Sequence, residues 1–316
     1  MRTPLCELIG IEQPIVQAPM SAVPELAAAV SNAGALGMLA LTWSTPAGDP
    51  VRDTKALTDR PFGGNLILNE DQHRRVDEVL EAGLRIVSLM WGDPSGYVSQ
   101  VHDAGAILFH TVGSAEEARR AVGSGVDVIV AQGWEAGGHV WSQIATLPLV
   151  PAVVDAVAPV PVIAAGGIAD ARGVAAVFAL GAQAAWLGTR FLLAEEMPIH
   201  DEYRRLLIHA AETDAQWYPN LFEVGWPDAP HRALRNSTAD MWEAAGRPPL
   251  GRRPGVGEVI AHYASGDPII RYETAAPLVG TTGAVEACSL WAGQSVALAR
   301  QRQSSAEIVA ELVSRL

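Results

Sequence analysis

Two glycine-bearing segments and one histidine have the residue types and spacing to do chemistry. Gly166-Gly167 directly follows the apolar run Val162–Ala165, and Gly188-Thr189 directly follows Ala184–Leu187. Glycine lets backbone amides approach a bound anion closely, and a threonine hydroxyl adds a donor, so the pair suits a phosphate group. Gly166-Gly167 also leads through Ile168-Ala169-Asp170 into a helical stretch whose N-terminus favours an anion. Ordinary turn chemistry is the competing reading, since tight loops need glycine anyway. His139 closes the segment Gln132-Gly133-Trp134-Glu135-Ala136-Gly137-Gly138-His139. Its imidazole titrates near neutral pH and can take a proton from a weakly acidic carbon. A hydrogen-bonded surface histidine is the plainer alternative. Glu135, one helical turn earlier, can orient the ring or cap a turn. No H-x-x-x-H pair accompanies His139, so no metal site is expected.

Other candidates are less specific. The Met20 thioether can lie against a flat ring or simply plug a core. Asn65 both donates and accepts, which suits the edge of a heterocycle or a satisfied turn. Trp217, Trp226 and Trp242 can line a pocket, although tryptophan is more often core or lid material.

The elements that must carry these residues alternate. Strands are expected near Ile15–Ala18, Leu36–Leu41, Gly64–Leu68, Ile86–Met90, Ala106–His110, Val126–Ala131, Val162–Ala165 and Ala184–Leu187. Helical periodicity appears between them at Pro24–Ala33, Asp71–Ala82, Ser114–Val122 and Ala171–Leu180. Apolar runs without alternation suit parallel strands covered on both faces, joined by right-handed crossovers. Eight such units predict an α/β (β/α)₈ TIM barrel; a doubly wound open sheet is the runner-up. Ser114 with Glu117 reads as a capping box. Gly34, Gly83, Gly105, Gly125 and Gly181 fall where helices should close. In a barrel, chemistry sits at the C-terminal ends of the strands, and phosphate sites are built after strands seven and eight. Both glycine segments fall there.

After Phe191 the texture changes. Residues 197–275 are richer in Trp, Tyr, His, Arg and Pro, and predict a smaller, mostly helical insertion or lid after strand eight. The barrel is expected over 1–196 plus 276–316, with closing helices at Gly283–Arg300 and Ala306–Leu316.

Composition excludes several classes. Of 316 residues, 49% are hydrophobic and 18% charged, enough for a large core and the opposite of a disordered chain. The net charge of −13 and the lack of a Lys/Arg run argue against nucleic acid and anionic membrane partners. Cys6 and Cys288 form no framework and are read as reduced thiols of a cytoplasmic protein. Glu7 and Glu12 interrupt any apolar leader, and no uncharged run is long enough to span a bilayer.

Taken in order, Gln17-Ala18-Pro19-Met20, Gly63-Gly64-Asn65, Ala131–His139, Ala165-Gly166-Gly167-Ile168 and Leu187–Phe191 resemble the nitronate monooxygenase family, formerly the 2-nitropropane dioxygenases. Trp291-Ala292-Gly293-Gln294-Ser295 matches as well. The resemblance implies non-covalent FMN at the barrel mouth. Ala18 and Met20 would lie by its ring, Asn65 and Gln132 at its polar edge, and Gly137 close against it. Gly166, Gly167, Gly188 and Thr189 would hold the phosphate, with Trp186 in the same set. His139 would be the base for the proton next to a nitro group. Family members oxidise alkyl nitronates with O₂ and without NAD(P)H, so a nitronate or nitroalkane and O₂ are the implied partners, with a homo-oligomer left open. Three positions depart from the pattern: Trp141 where relatives often carry Gly, Trp186 where many carry Gln, and Thr111 where some carry Lys. Two alternatives stand beside this: an NAD(P)H-dependent flavin reductase of quinones or enoyl thioesters, and a flavin-binding protein without turnover. No G-x-G-x-x-G follows an early strand, but barrel reductases need none.

Overall fold

The computed structural model describes residues 2–316. Eight parallel strands form the main sheet: β1 Ile15–Gln17, β2 Gly37–Ala40, β3 Phe62–Ile67, β4 Ile86–Met90, β5 Ile107–Val112, β6 Val128–Gln132, β7 Val162–Ala165 and β8 Ala184–Leu187. Their order is β1-β8-β7-β6-β5-β4-β3-β2. The sheet closes because Leu36 N donates to Ile15 O and Gln17 N donates to Leu36 O, each at 2.9 Å. The Gln17 side chain reinforces this seam by accepting from Met38 N at 3.0 Å. The chain is therefore a (β/α)₈ barrel. Its strands lie within about two residues of the expected positions, because apolar runs buried on both faces are a local signal.

Alternate residues of each strand point inward. Val16, Met38, Ile86, Phe109, Val130 and Trp186 belong to one interior core. The N-terminal helix Pro4–Ile9 adds Leu5, Cys6 and Ile9 to that core. It is tied to the start of β8, where Thr3 Oγ1 donates to Gln183 O at 2.9 Å and Leu5 N to Gln183 Oε1 at 3.0 Å. The N-terminal end of the barrel is thus stoppered, and the C-terminal ends of the strands remain for function.

The local helix signals hold with one variation. Gly34, Gly83, Gly105, Gly125 and Gly181 all have positive φ. Ser114 caps Ala115–Ser124 through Glu117 N at 3.2 Å, but the Glu117 carboxylate accepts from Gly113 N at 2.6 Å, one residue before the cap.

The chain divides into two compact units at points that differ from the expected boundaries. The barrel unit runs to Trp134 and includes Ser142–Met197 and Gln303–Leu316; the second unit is Glu135–Trp141 with Pro198–Arg302. Residues 276–302 therefore go with the second unit. So does the segment carrying His139. The second unit has helices Asp201–His209 and Ser237–Ala244, and two antiparallel three-stranded sheets that the sequence did not suggest. Its core gathers Tyr218, Phe222, Trp242 and Tyr272. A buried ion pair, Arg253 with Glu223, ties its loops, and Arg253 Nη1 also donates to Leu221 O at 2.8 Å. Gly283–Arg300 is not the expected helix; it holds two short 3₁₀ turns, Val285–Ala287 and Gln294–Leu298. The helix Ser305–Leu312 forms as expected, closed by a capping box between Ser304 and Glu307.

Candidate active site

Within the barrel unit, Ala18 and Met20 follow β1 and are partly exposed. Asn65 is an inward residue of β3 and only 5% exposed. Gln132 ends β6 opposite Ala165 and is partly exposed. Thr111 is buried on the inward face of β5. Trp186 is 8% exposed and lies in the interior core, opposite Val16 and Ala165 in register. Small neighbours in that core, Ala165, Ala184 and Ala18, leave room for the indole.

Gly166 and Gly167 sit at φ 100° and 72°, a region that costs any other L-residue about 1–2 kcal/mol. Thr146, which the sequence did not flag, holds this turn by donating from Oγ1 to Gly166 O at 3.0 Å. Gly133 completes the anchor: its N donates to Ala165 O at 2.9 Å, and a Cβ there would stand 2.1 Å from Thr146 Oγ1. After β8, Gly188 O accepts from Phe191 N and Leu192 N at 2.9 and 3.2 Å, and Thr189 is buried. The Arg190 guanidinium turns toward Gln303 and Glu311. The helix Ala171–Ala179 is capped by its own Asp170, whose Oδ1 accepts from Arg172 N at 2.9 Å and Gly173 N at 3.1 Å. The anion-favouring helix end suggested by the sequence is thus already served by a carboxylate. What remains for an anion is the glycine turn and Gly188-Thr189.

Within the second unit, the segment carrying His139 is built into a sheet. Gly138–His139 pairs antiparallel with His231–Leu234, His139 opposite His231 and Gly138 opposite Arg232. Val140 N donates to Pro230 O at 2.9 Å, continuing the ladder. His139 is surrounded by rings: Trp226 at 3.9 Å between centroids, Trp291 at 5.2 Å and His231 at 5.7 Å. Its Nε2 is sealed from solvent. Burial holds its pKa well below the ordinary 6.5, and His231 adds to the effect. The imidazole is therefore neutral at pH 7, the form that accepts a proton.

Gly137 has a packing reason to be glycine. A Cβ there would lie 2.4 Å from Gly293 N and 2.5 Å from Ala292 C, backbone atoms that cannot swing aside. Gln294 N donates to Glu135 O at 3.0 Å across the same contact. Gly137→Ala is expected to destabilise the protein by about 1–3 kcal/mol, the usual range for overpacking. Thermal melts would check this; an unchanged midpoint would show that the contact yields freely.

Of the flagged tryptophans, Trp226 flanks His139, and Trp217 donates to Val140 O at 3.4 Å. Trp242 lies in the unit's core instead, donating to Pro248 O at 2.9 Å. The Glu135 carboxylate acts on Arg232, countering the burial that lowers that guanidinium's pKa. His231 was not singled out, and only its strand register reveals it. It is fully buried, and burial, with a smaller push from Arg253, brings its pKa down to about 4. His110, on β5, is likewise brought to about 4 by burial.

These two histidines predict acid sensitivity. Each takes up a proton near 6.5 when unfolded but only near 4 when folded. Stability should therefore fall as pH drops below 6.5, by roughly 2 kcal/mol per group at pH 5. Urea midpoints at pH 7 and pH 5 would measure it. Equal midpoints would contradict the burial of both rings as neutral species.

One unit thus carries a barrel stoppered at one end with a glycine turn after β7, and the other carries a neutral imidazole among aromatic rings. The nitronate monooxygenase family profile matches residues 2–74 and 69–315. A Paraburkholderia phytofirmans nitronate monooxygenase is 33% identical, over 99% of this chain and 94% of that protein. The chain belongs to the nitronate monooxygenase family. It is also 37% identical to a Mycobacterium tuberculosis (3aS,4S,5R,7aS)-5-hydroxy-7a-methyl-1-oxo-octahydro-1H-indene-4-carboxyl-CoA dehydrogenase, over 78% of this chain and 70% of that protein. Among solved structures, FabK from Thermotoga maritima superposes with a TM-score of 0.85 at 31% identity, over 99% of this chain and 96% of that one. No helix among the described residues is long and apolar enough to cross a membrane.

Proposed function

We propose that this enzyme binds FMN and oxidises alkyl nitronates with O₂, with His139 handling the proton on the carbon next to the nitro group. The observation that carries the reading is a neutral imidazole in an aromatic setting, Trp226 on one side and Trp291 on another, with Nε2 sealed from solvent.

The residues present fit a flavin. Inward positions of β3, β4 and β6 carry Asn65, Ser88 and Gln132, polar groups of the kind a heterocycle with carbonyl and ring-nitrogen edges would use. Ser88 is fully buried and its Oγ has no hydrogen-bond partner among the described residues, which a bound polar group would explain. Ala18 and Met20 would border the ring, and Gly166, Gly167, Gly188 and Thr189 would hold the phosphate through backbone and hydroxyl donors. Gly137 and Trp186 act through packing, the first on Gly293 and the second in the barrel core. FMN, when bound, supplies the electron acceptor that O₂ regenerates.

His139 does the proton chemistry. On a neutral nitroalkane, it removes the α-proton, and the carbanion charge passes to the nitro oxygens. On a preformed nitronate no proton need move. Its Nε2 is sealed from solvent, so bulk water does not compete for that nitrogen.

A second reading has support of its own. Two similar proteins are named for thioester chemistry or for FabK. A thioester carbonyl acidifies its neighbouring carbon as a nitro group does, so His139 would face a similar proton. Such an enzyme would exchange electrons with NAD(P)H or another carrier. The purified yellow protein should be mixed anaerobically with propionate 3-nitronate and, separately, with NADH and NADPH. A rapid change of the flavin spectrum with the nitronate alone supports the oxygenase. Rapid bleaching by a reduced nicotinamide alone would replace it with the reductase. Inertness to both, or a colourless protein that takes up no FMN, would end both readings.

A further inference from the structure

We infer that His231 is a positioning residue for His139: its two ring nitrogens are committed to backbone groups, so it holds the base's ring in place while offering it no proton. The inference rests on His139 being the base, as proposed above, and deepens that assignment.

The hydrogen bonds fix the tautomer. His231 Nε2 lies 3.1 Å from the amide nitrogen of Phe222, which can only donate. His231 Nε2 must therefore be the unprotonated acceptor. Nδ1 lies 2.9 Å from Ala229 O, which can only accept, so Nδ1 carries the proton. Both partners are main-chain groups and neither can reverse its role. Protonating His231 would break the Phe222 contact and place an unpaired charge in a site that is 0% exposed. The usual alternative for two neighbouring histidines, a shared or relayed proton, is closed by this arrangement.

The placement is equally constrained. His231 and His139 face each other across an antiparallel register, with rings 5.7 Å apart at 67°. Trp291 stands edge-on to His231 at 5.3 Å and also contacts His139 at 5.2 Å. Phe222 and Tyr218 lie behind, 5.8 and 6.0 Å from His231. The imidazole of His139 is thus held between Trp226 and a His231–Trp291 pair that cannot rotate freely. The charged groups around His231 are few. Arg253 acts on it and is paired with Glu223; Arg232, next along its strand, is accompanied by Glu135. With its Nε2 already accepting from Phe222 N, His231 offers the cluster no free acceptor to compete with His139.

The test reads the rings directly and separately from turnover. Nitrogen-15 histidine spectra of the FMN-loaded protein, recorded from pH 8 to pH 5, should show His231 in the Nδ1–H tautomer throughout. His231→Phe keeps the ring's shape and removes both hydrogen bonds. It should broaden or shift the His139 ring signals and slow neutral nitroalkane turnover about 10-fold, with preformed nitronate turnover nearly unchanged. His231→Gln, which can still accept from Phe222 N, should recover most of both properties. A His231 that becomes charged between pH 7 and pH 6 would overturn the inference. So would a folded His231→Phe protein with unaltered His139 signals. If nitroalkanes prove not to be substrates, the spectra still decide whether His231 fixes His139, so failure of the functional reading is distinguishable from failure of this one.

Discussion

Replacing His139 by Asn is expected to slow oxidation of neutral nitroalkanes by about 10²–10⁴-fold, the usual contribution of a general base, while preformed nitronates lose no more than a few-fold. The asymmetry follows from the chemistry: only the neutral substrate needs a proton removed. Asparagine can keep the short strand Gly138–His139 paired with His231–Leu234, because that pairing runs through the main chain. It keeps polarity near Trp226 but cannot accept a proton near neutral pH. In the unaltered protein the imidazole is held well below its ordinary pKa, so the base form already predominates at pH 7. The nitroalkane rate should accordingly show no inflection near 6.5 from this group. Steady-state oxygen consumption with a nitroalkane and with its nitronate, across pH 6 to 8, measures both points. Equal losses on the two substrates would remove His139 from the role of base.

The second large effect is expected at the turn after β7. Gly166 and Gly167 both occupy positive φ, and alanine at each position carries about 1–2 kcal/mol of strain. A double Gly→Ala variant thus carries roughly 2–4 kcal/mol. That energy can appear in either of two measurements. If the empty turn relaxes into another conformation, FMN must restore it, and affinity falls by about 30- to 1,000-fold. If the anchor from Thr146 Oγ1 to Gly166 O prevents relaxation, the strain appears as lost stability of the folded protein. FMN titration by fluorescence together with urea unfolding of the apoprotein captures the total. A variant that binds FMN normally and unfolds normally would show that the turn does not hold the phosphate and bears no strain.

The barrel was legible because its signals are local. β4 reads directly from Ile86–Met90 and β7 from Val162–Ala165, since a strand covered on both faces is an uninterrupted apolar run. The helix Thr146–Val157 was missed for an equally local reason. It contains Pro148 and, in its interior, Pro151, which ordinarily mark helix boundaries. Gly283–Arg300 suggested a helix by composition, yet the chain there runs through 3₁₀ turns. Gly293 lies against the Glu135–Gly137 backbone, with its own Cβ position 2.8 Å from Glu135 O. No periodicity encodes such a contact.

Eight alternating strand–helix units, the glycine turns after the last two strands and the histidine worth testing were all readable from the sequence by itself. Each of these depends on residues within a few positions of one another. Tertiary structure alone decided what kind of imidazole His139 carries. Its neutrality comes from Trp226, His231 and Trp291, which are distant in the chain and reach it through an antiparallel sheet and packed rings. Desolvation is a property of everything that surrounds a group, so it could be read only once the chain had folded.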